Sequence, residues 1–566
     1  MSARLIVWLS LLLILRYPVI GQNCFFPRYL DFVASDVLIY TDIPFATVNP
    51  YGIIQSQELK LDFYEPFGDT LAQRPLIIFS FGGAFLIGDK SQPFIPEFCK
   101  FFAKHGYAVA AINYRTGFNT LDQGSAERAA YRAVQDIRAA MRFFAELWQT
   151  FRIDTNYIFL AGTSAGCVAS LHSTFMTEQQ RPASTYGTLL EPSDLGCPDC
   201  SGNHFYGNRE VRVKGIINCW GAILDTLYID DLTRDSVPVI SFHGTNDLIV
   251  PYTYGNPFQL PIFPPMYGSL LIHQRLDNMN IYNTLRPFPG AGHEPELLNS
   301  WAYADTLFEE TKNFLYKILK PNTSLIDGPL TVCAGDTASY SIVPHSGSQY
   351  CWNISGGIIL SQNAHSVTVL WDNIGLQQIS VQEKNSLGAT GDWVISALTV
   401  VALPHADFHF QQHDGLVYFT NHSNGSVKYY WDFGDGHSSQ EYSPAHIFAP
   451  GVYPVLLIAE NSAGCRDSVE KIIEVALPTF IPDEEAPPTL DIYPNPASSA
   501  FLIRCSAGTQ RLYTLSLYDV AGRMVLRKDL IGDEKKVIHI AHLPAGIYQA
   551  KVQTHNKTFF CKLIRL

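Results

Sequence analysis

The chain of 566 residues is short of charge, and what charge it has is lopsided. Charged residues make up 16% and sum to a net charge of −13, with no basic cluster anywhere. That excludes nucleic acid as a partner, because such a surface needs a positive footprint. Long apolar runs are missing beyond the amino-terminal segment, so the mature chain is expected to carry no transmembrane anchor. Cys197-Pro198-Asp199-Cys200 has no second Cys-x-x-Cys to complete four zinc ligands, so it reads as a disulfide; no metal and no cofactor are expected. Blade-like repeats and an amphipathic lid helix are absent too. What is present is a globular balance, 47% hydrophobic, in a length that suggests roughly three or four domains.

Residues 1–21 read as a signal peptide: Arg4, the apolar stretch Leu5 to Leu15, then Val19-Ile20-Gly21. Eleven cysteines in an exported chain can pair with one left over. Cys333 and Cys351 fall in one β-rich stretch and could bridge, although partners do not follow from sequence.

The chemistry begins at Gly162-Thr163-Ser164-Ala165-Gly166, between the apolar run Tyr157 to Ala161 and a small-residue segment that reads as a helix. A serine at a sharp strand-to-helix turn sits in strained backbone space, and glycines on both sides relieve the crowding. Such a nucleophile needs a base and an acid, in the order Ser, Asp or Glu, His. Val237 to Phe242 reads as a buried strand that empties into His243-Gly244-Thr245-Asn246-Asp247. Leu285 to Pro289 leads into Gly290-Ala291-Gly292-His293-Glu294. The expected catalytic residues are therefore Ser164, Asp247 and His293. Asp231 and Asp235 precede the strand, and Glu294 adjoins the histidine; all three are weaker candidates for the acid. A further strand, Pro75 to Phe81, ends in Gly82-Gly83-Ala84-Phe85, so the N–H groups of Gly83, Ala84 and Ala165 are the expected oxyanion donors.

From Ser56 to Leu319 strands alternate with helices, which implies a sheet covered on both faces. The clearest helix runs from Ala126 to Trp148, with Ala130, Val134, Ile137, Met141, Phe144 and Leu147 at core spacing; Asp136 and Arg138 on it read as structural ion pairs. A closing helix is expected from Trp301 to Leu319. Two segments break the rhythm on the catalytic side, Thr177 to Arg212 and Tyr252 to Ser269, and are the candidate substrate pocket.

These motifs, with Leu59 to Pro66, Ile112-Asn113-Tyr114-Arg115 and Cys219-Trp220-Gly221, resemble the bacterial carboxylesterase branch of the α/β-hydrolases that includes feruloyl- and acetyl-xylan-esterase-like proteins. That family usually has His before the paired glycines; here Phe81 stands there, which leaves the triad complete and alters the donor loop. After Pro321 short alternating strands take over. Residues 327–402 resemble a PKD-like immunoglobulin-type sandwich. Residues 405–476, with Trp431-Asp432-Phe433-Gly434-Asp435-Gly436, resemble a PKD domain, whose two aspartates read as hairpin braces rather than calcium ligands. An acidic, proline-rich linker, 477–490, precedes residues 491–566, which resemble the type IX secretion sorting domain.

The expected fold class is α/β, an α/β-hydrolase doubly wound sheet in residues 22–320 followed by β-sandwich modules. The resemblance implies a serine carboxylesterase whose partners are an ester substrate, one that polysaccharide could carry, and the type IX machinery, with localisation outside the cell or on its surface via the periplasm. An oligopeptidase-type serine peptidase and an inactive surface-binding protein are the alternatives. Because each β-module has its own strands and turns, a chain ending near Pro321 is expected to fold and keep its activity.

Overall fold

The computed structural model describes residues 24–53, 55–204, 211–230, 236–294, 303–413, 415–476, 490–505, 512–531, 535–553 and 558–566. The signal peptide, most of the proline-rich linker, Asp231, Asp235 and Trp301 lie outside the described residues.

Eight strands form the first sheet: β1 (Val37–Val48), β2 (Gln57–Pro66), β3 (Arg74–Ser80), β4 (Ala108–Ile112), β5 (Ile153–Thr163), β6 (Val213–Cys219), β7 (Val239–Gly244) and β8 (Asn283–Phe288). Their order is β1-β2-β4-β3-β5-β6-β7-β8. β1 and β2 pair antiparallel, β2 meets β4 antiparallel, and every later neighbour is parallel. Central strands are apolar on both faces because helices cover both; every residue of β3 and β4 is buried. This is the doubly wound α/β-hydrolase sheet. Among the described residues, five helices of ten residues or more pack on it: α1 (Phe94–Lys104), α2 (Gln123–Glu146), α3 (Ala165–Phe175), α4 (Ser269–Asn278) and α5 (Ala304–Leu319). The Asp122 side chain accepts from the Gly124 N–H at 3.0 Å and so caps α2, starting it a turn before Ala126.

Asp136 and Arg138 serve structure through different partners. Arg115 Nη2 lies 2.7 Å from the buried Asp136 carboxylate, and Arg138 Nη1 lies 2.8 Å from Asp199.

Three two-sheet β-modules follow. In the first, a four-stranded sheet (Thr331–Cys333, Val394–Val401, Gly375–Lys384, Gln349–Ser355) faces a three-stranded one (Asp336–Ser341, Ser366–Trp371, Gly357–Gln362) over Trp352 and Trp371. The second closes around Trp431, Phe408 and Phe433, and the third around Phe501, Leu515, Leu517 and Ala550.

The cysteines tie these units together. Cys197 pairs with Cys200, as expected, but Cys333 and Cys351 do not bridge each other. Cys351 pairs with Cys24 and Cys333 with Cys465, across sequence separations of 327 and 132 residues. Nor is the first β-module a detached bead. Leu387 and Ala389 on its loop are buried in the same apolar cluster as Tyr29 and Tyr107 of the α/β unit. The Tyr29 hydroxyl donates to the Leu387 carbonyl at 2.8 Å, and the Asn385 amide donates to the Leu319 carbonyl at 2.8 Å.

Candidate active site

β5 ends at Thr163 and α3 begins at Ala165, leaving Ser164 alone at the turn with φ 50° and ψ −119°. The flanking glycines are there because nothing larger fits. A Cβ on Gly162 would lie 2.7 Å from the Ser80 carbonyl oxygen, and one on Gly166 would lie 2.2 Å from it. The Ser164 N–H donates to the Cys219 carbonyl at 2.9 Å, which pins the turn against β6.

The loops after β7 and β8 meet at Ser164. Gly244 permits that meeting, since a Cβ there would come 2.2 Å from the Gly292 carbonyl oxygen. The Asn246 N–H then donates to the Ala291 carbonyl at 2.9 Å, and the Gly290 N–H to Thr245 Oγ1 at 2.8 Å. Held this way, His293 Nδ1 lies 2.6 Å from Asp247 Oδ2, and His293 Nε2 lies 3.0 Å from Ser164 Oγ. A carboxylate can only accept, so Nδ1 carries the proton and Nε2 is left to accept from the serine hydroxyl. Burial works against the charge on Asp247, but hydrogen bonds from His243 and His293 outweigh it and hold the carboxyl well below the ordinary range. Its other oxygen accepts from the N–H groups of Ile249 and Val250 at 2.8 and 3.0 Å.

Sequence reasoning passed over a second, buried shell. His243 Nε2 is 3.2 Å from Asp247 Oδ2 and 3.1 Å from the Val250 carbonyl, both acceptors, so it too carries a proton. His243 Nδ1 then accepts from the Ser269 hydroxyl at 2.8 Å, and the Asn218 amide donates to Ser269 Oγ at 3.1 Å. The only hint in the sequence was the histidine heading the His243-Gly244 pair. Asn218 and Ser269 carried no signal.

The donor loop turns at Gly83, whose φ of 130° places a would-be Cβ 2.0 Å from the Ile87 carbonyl oxygen. Ala84 and Phe85 follow with φ 52° and 62°, a strained pair of non-glycine residues. Phe81 is buried and stacks on Tyr114 at 4.1 Å, and the Tyr114 hydroxyl donates to the Phe81 carbonyl at 2.9 Å. Ala84, Ala165 and Ser164 all line one cavity of about 90 Å³, and Gly83 is not on its wall.

That wall corrects the sequence expectation for the pocket. The segment from Tyr252 to Ser269 supplies Pro257, Phe258, Phe263, Pro264 and Met266, while the segment from Thr177 to Arg212 supplies Pro182 alone. Much of the rest is the face of α2: Ala126, Glu127, Ala130, Tyr131 and Val134. Two of those positions had the periodicity of pure core. His172 also lines the cavity; burial lowers its pKa to about 4, and its neutral Nε2 accepts from the Leu224 N–H at 3.2 Å.

Comparison with known proteins finds matches to four stretches of the chain. Residues 61–230 match the BD-FAE family, 319–397 the PKD-like domain, 416–477 the PKD domain, and 491–565 the secretion system C-terminal sorting domain. Gut esterase 1 of Caenorhabditis elegans is 29% identical over 219 residues, 34% of this chain and 37% of that protein. The chain thus spans little more than a third of the length of that curated relative. Among solved structures, an esterase of the planctomycete Thermogutta terrifontis is 22% identical in its native form and 23% with propionate bound. Both alignments cover 49% of this chain, with 93% and 95% of the other chain and a TM-score of 0.34. The chain carries a BD-FAE domain of esterase type, a PKD-like and a PKD domain, and a type IX sorting tail. That tail marks it as a secreted or cell-surface protein, and no described helix is long and apolar enough to cross a membrane.

Proposed function

We propose that the protein hydrolyses carboxylic esters by a serine mechanism through an acyl-enzyme. The observation that carries this reading is the relay from Ser164 Oγ to His293 Nε2 at 3.0 Å and from His293 Nδ1 to Asp247 at 2.6 Å, opening on an apolar cavity. Ser164 attacks the ester carbonyl and passes its proton to His293. Asp247 holds the ring in the required tautomer and steadies the imidazolium. The N–H groups of Gly83, Ala84 and Ala165 receive the oxyanion. His293 returns the proton to the departing alcohol, and water repeats the sequence to release the acid.

Ser164, Glu127, His172 and Tyr131 aside, the residues of the cavity wall are apolar, which suits a small apolar acyl group, carried in this proposal by a larger hydroxyl-bearing molecule such as polysaccharide. Turnover of p-nitrophenyl acetate by the full chain tests the reading. Ser164→Ala should lose several orders of magnitude with unchanged thermal unfolding, and Asp247→Asn should lose roughly 10⁴-fold. Undiminished turnover in purified Ser164→Ala protein would overturn the mechanism. A panel of acetyl, feruloyl and long-chain esters then names the acyl group.

A further inference from the structure

The PKD module presents a group of side chains unrelated to ester chemistry. Asp435 sits in the turn between the strands Lys428–Asp432 and Ser438–Ser439, with His437 two residues on. His446 reaches the same point from the strand Ala445–Ile447. His446 Nε2 is 2.7 Å from Asp435 Oδ2, and His437 Nδ1 is 3.3 Å from Asp435 Oδ1. The three ligating atoms lie within 4.8 Å of one another, and among the described residues no other His, Cys, Asp or Glu side chains gather in this way.

Two of the donors are fixed in advance. The Asp435 carboxylate is aimed by the His437 N–H, which donates to Oδ1 at 3.0 Å. The His446 ring is stacked on the buried Phe433 at 4.1 Å and 6°, and meets Phe448 edge-on at 4.7 Å. Such outer contacts orient ligating imidazoles in metal sites. The third donor, His437, is 72% exposed, so one side of the cluster is open to water and to an incoming ion.

The donor types decide which ion. Calcium takes six to eight oxygens, and here one carboxylate faces two imidazoles. Asp432 adds nothing, since its carboxylate accepts from the Gly434 N–H at 2.9 Å and braces the turn. Imidazole with carboxylate suits zinc, copper or nickel. We infer that Asp435, His437 and His446 form a surface site for a divalent first-row transition metal of the Zn²⁺ class, with water completing the coordination. The ion takes the place of the proton between His446 Nε2 and Asp435 Oδ2, and that proton passes to Nδ1 of the ring. Bound there, the metal links the turn to the strand Ala445–Ile447 and stabilises the module.

Calorimetric titration of the full chain with ZnCl₂, alongside thermal melts with and without the metal, tests this. The expected result is a site of micromolar affinity whose occupation raises the melting temperature of the PKD module, with CaCl₂ neither binding there nor competing. His437→Ala removes an exposed ring and should leave the metal-free melt unchanged while weakening Zn²⁺ more than about tenfold; Asp435→Asn should weaken it similarly. The chain has 17 histidines, so scattered binding must be separated from this site. No Zn²⁺ uptake by the wild type, or equal uptake by His437→Ala and Asp435→Asn, overturns the inference.

Discussion

Removing everything after Pro321 should destabilise the esterase domain, because the PKD-like module is part of its packing. Leu387 is 2% exposed and packs in the α/β unit's own core, a burial worth about 2 kcal/mol. Beside the exposed Lys320–Asp392 ion pair, hydrogen bonds cross the boundary, three of them being Tyr29 hydroxyl to the Leu387 carbonyl at 2.8 Å, Asn385 amide to the Leu319 carbonyl at 2.8 Å, and Tyr316 hydroxyl with Thr390 Oγ1 at 2.8 Å. At about 1 kcal/mol each, they bring the loss to about 5 kcal/mol. The Cys24–Cys351 disulfide that tethers the amino-terminal arm goes as well. Domains are stable by only about 5–15 kcal/mol, and 1 kcal/mol moves the midpoint of a domain this size by about 2–4 °C. The chain ending at Pro321 should therefore melt at least about 10 °C below the full chain, and Leu387→Ala in the full chain should already cost about 2–5 kcal/mol. Calorimetry, with p-nitrophenyl acetate turnover after heating, measures both. A shortened chain that melts within about 2 °C of the full one and keeps its rate would refute the reasoning and restore the picture of independent modules.

Two further outcomes follow from single sites. Ala130 lies on the cavity wall, so Ala130→Phe should cut turnover of butyrate and longer esters roughly ten- to hundredfold relative to acetate, an overpacking cost of about 1–3 kcal/mol; an unchanged ratio would place the acyl group elsewhere. Asp69 is partly buried, which opposes its charge, but hydrogen bonds from Arg28 and Arg74 prevail and lower its pKa from 3.8 to about 2. A depressed carboxyl stabilises the fold above its unfolded pKa. The contribution, on the order of 1–2 kcal/mol after screening, should vanish as pH falls from about 4 to 2, and Asp69→Asn should flatten that part of the acid-unfolding curve.

The sequence alone marked Ser164, Asp247 and His293, the donor loop at Gly83 and Ala84, and the turn of the PKD module. Each depends on a local demand that contiguous residues must meet. A serine at φ 50° with carbonyl oxygens packed behind it leaves only glycine at 162 and 166, and two loops in contact leave only glycine at 244. Alternation and apolar runs likewise separated a covered parallel sheet from sandwiches. The tertiary structure alone decided the cysteine partners, for nothing local distinguishes Cys24 from Cys333 as the mate of Cys351, 327 residues from one of them. It also decided that a face of α2 borders a cavity, since the same apolar spacing serves a core and a pocket. The shell of His243, Ser269 and Asn218, and the burial of Leu387 against Tyr29, arise where distant segments converge. Chain topology fixes such meetings, and no single stretch of residues carries their pattern.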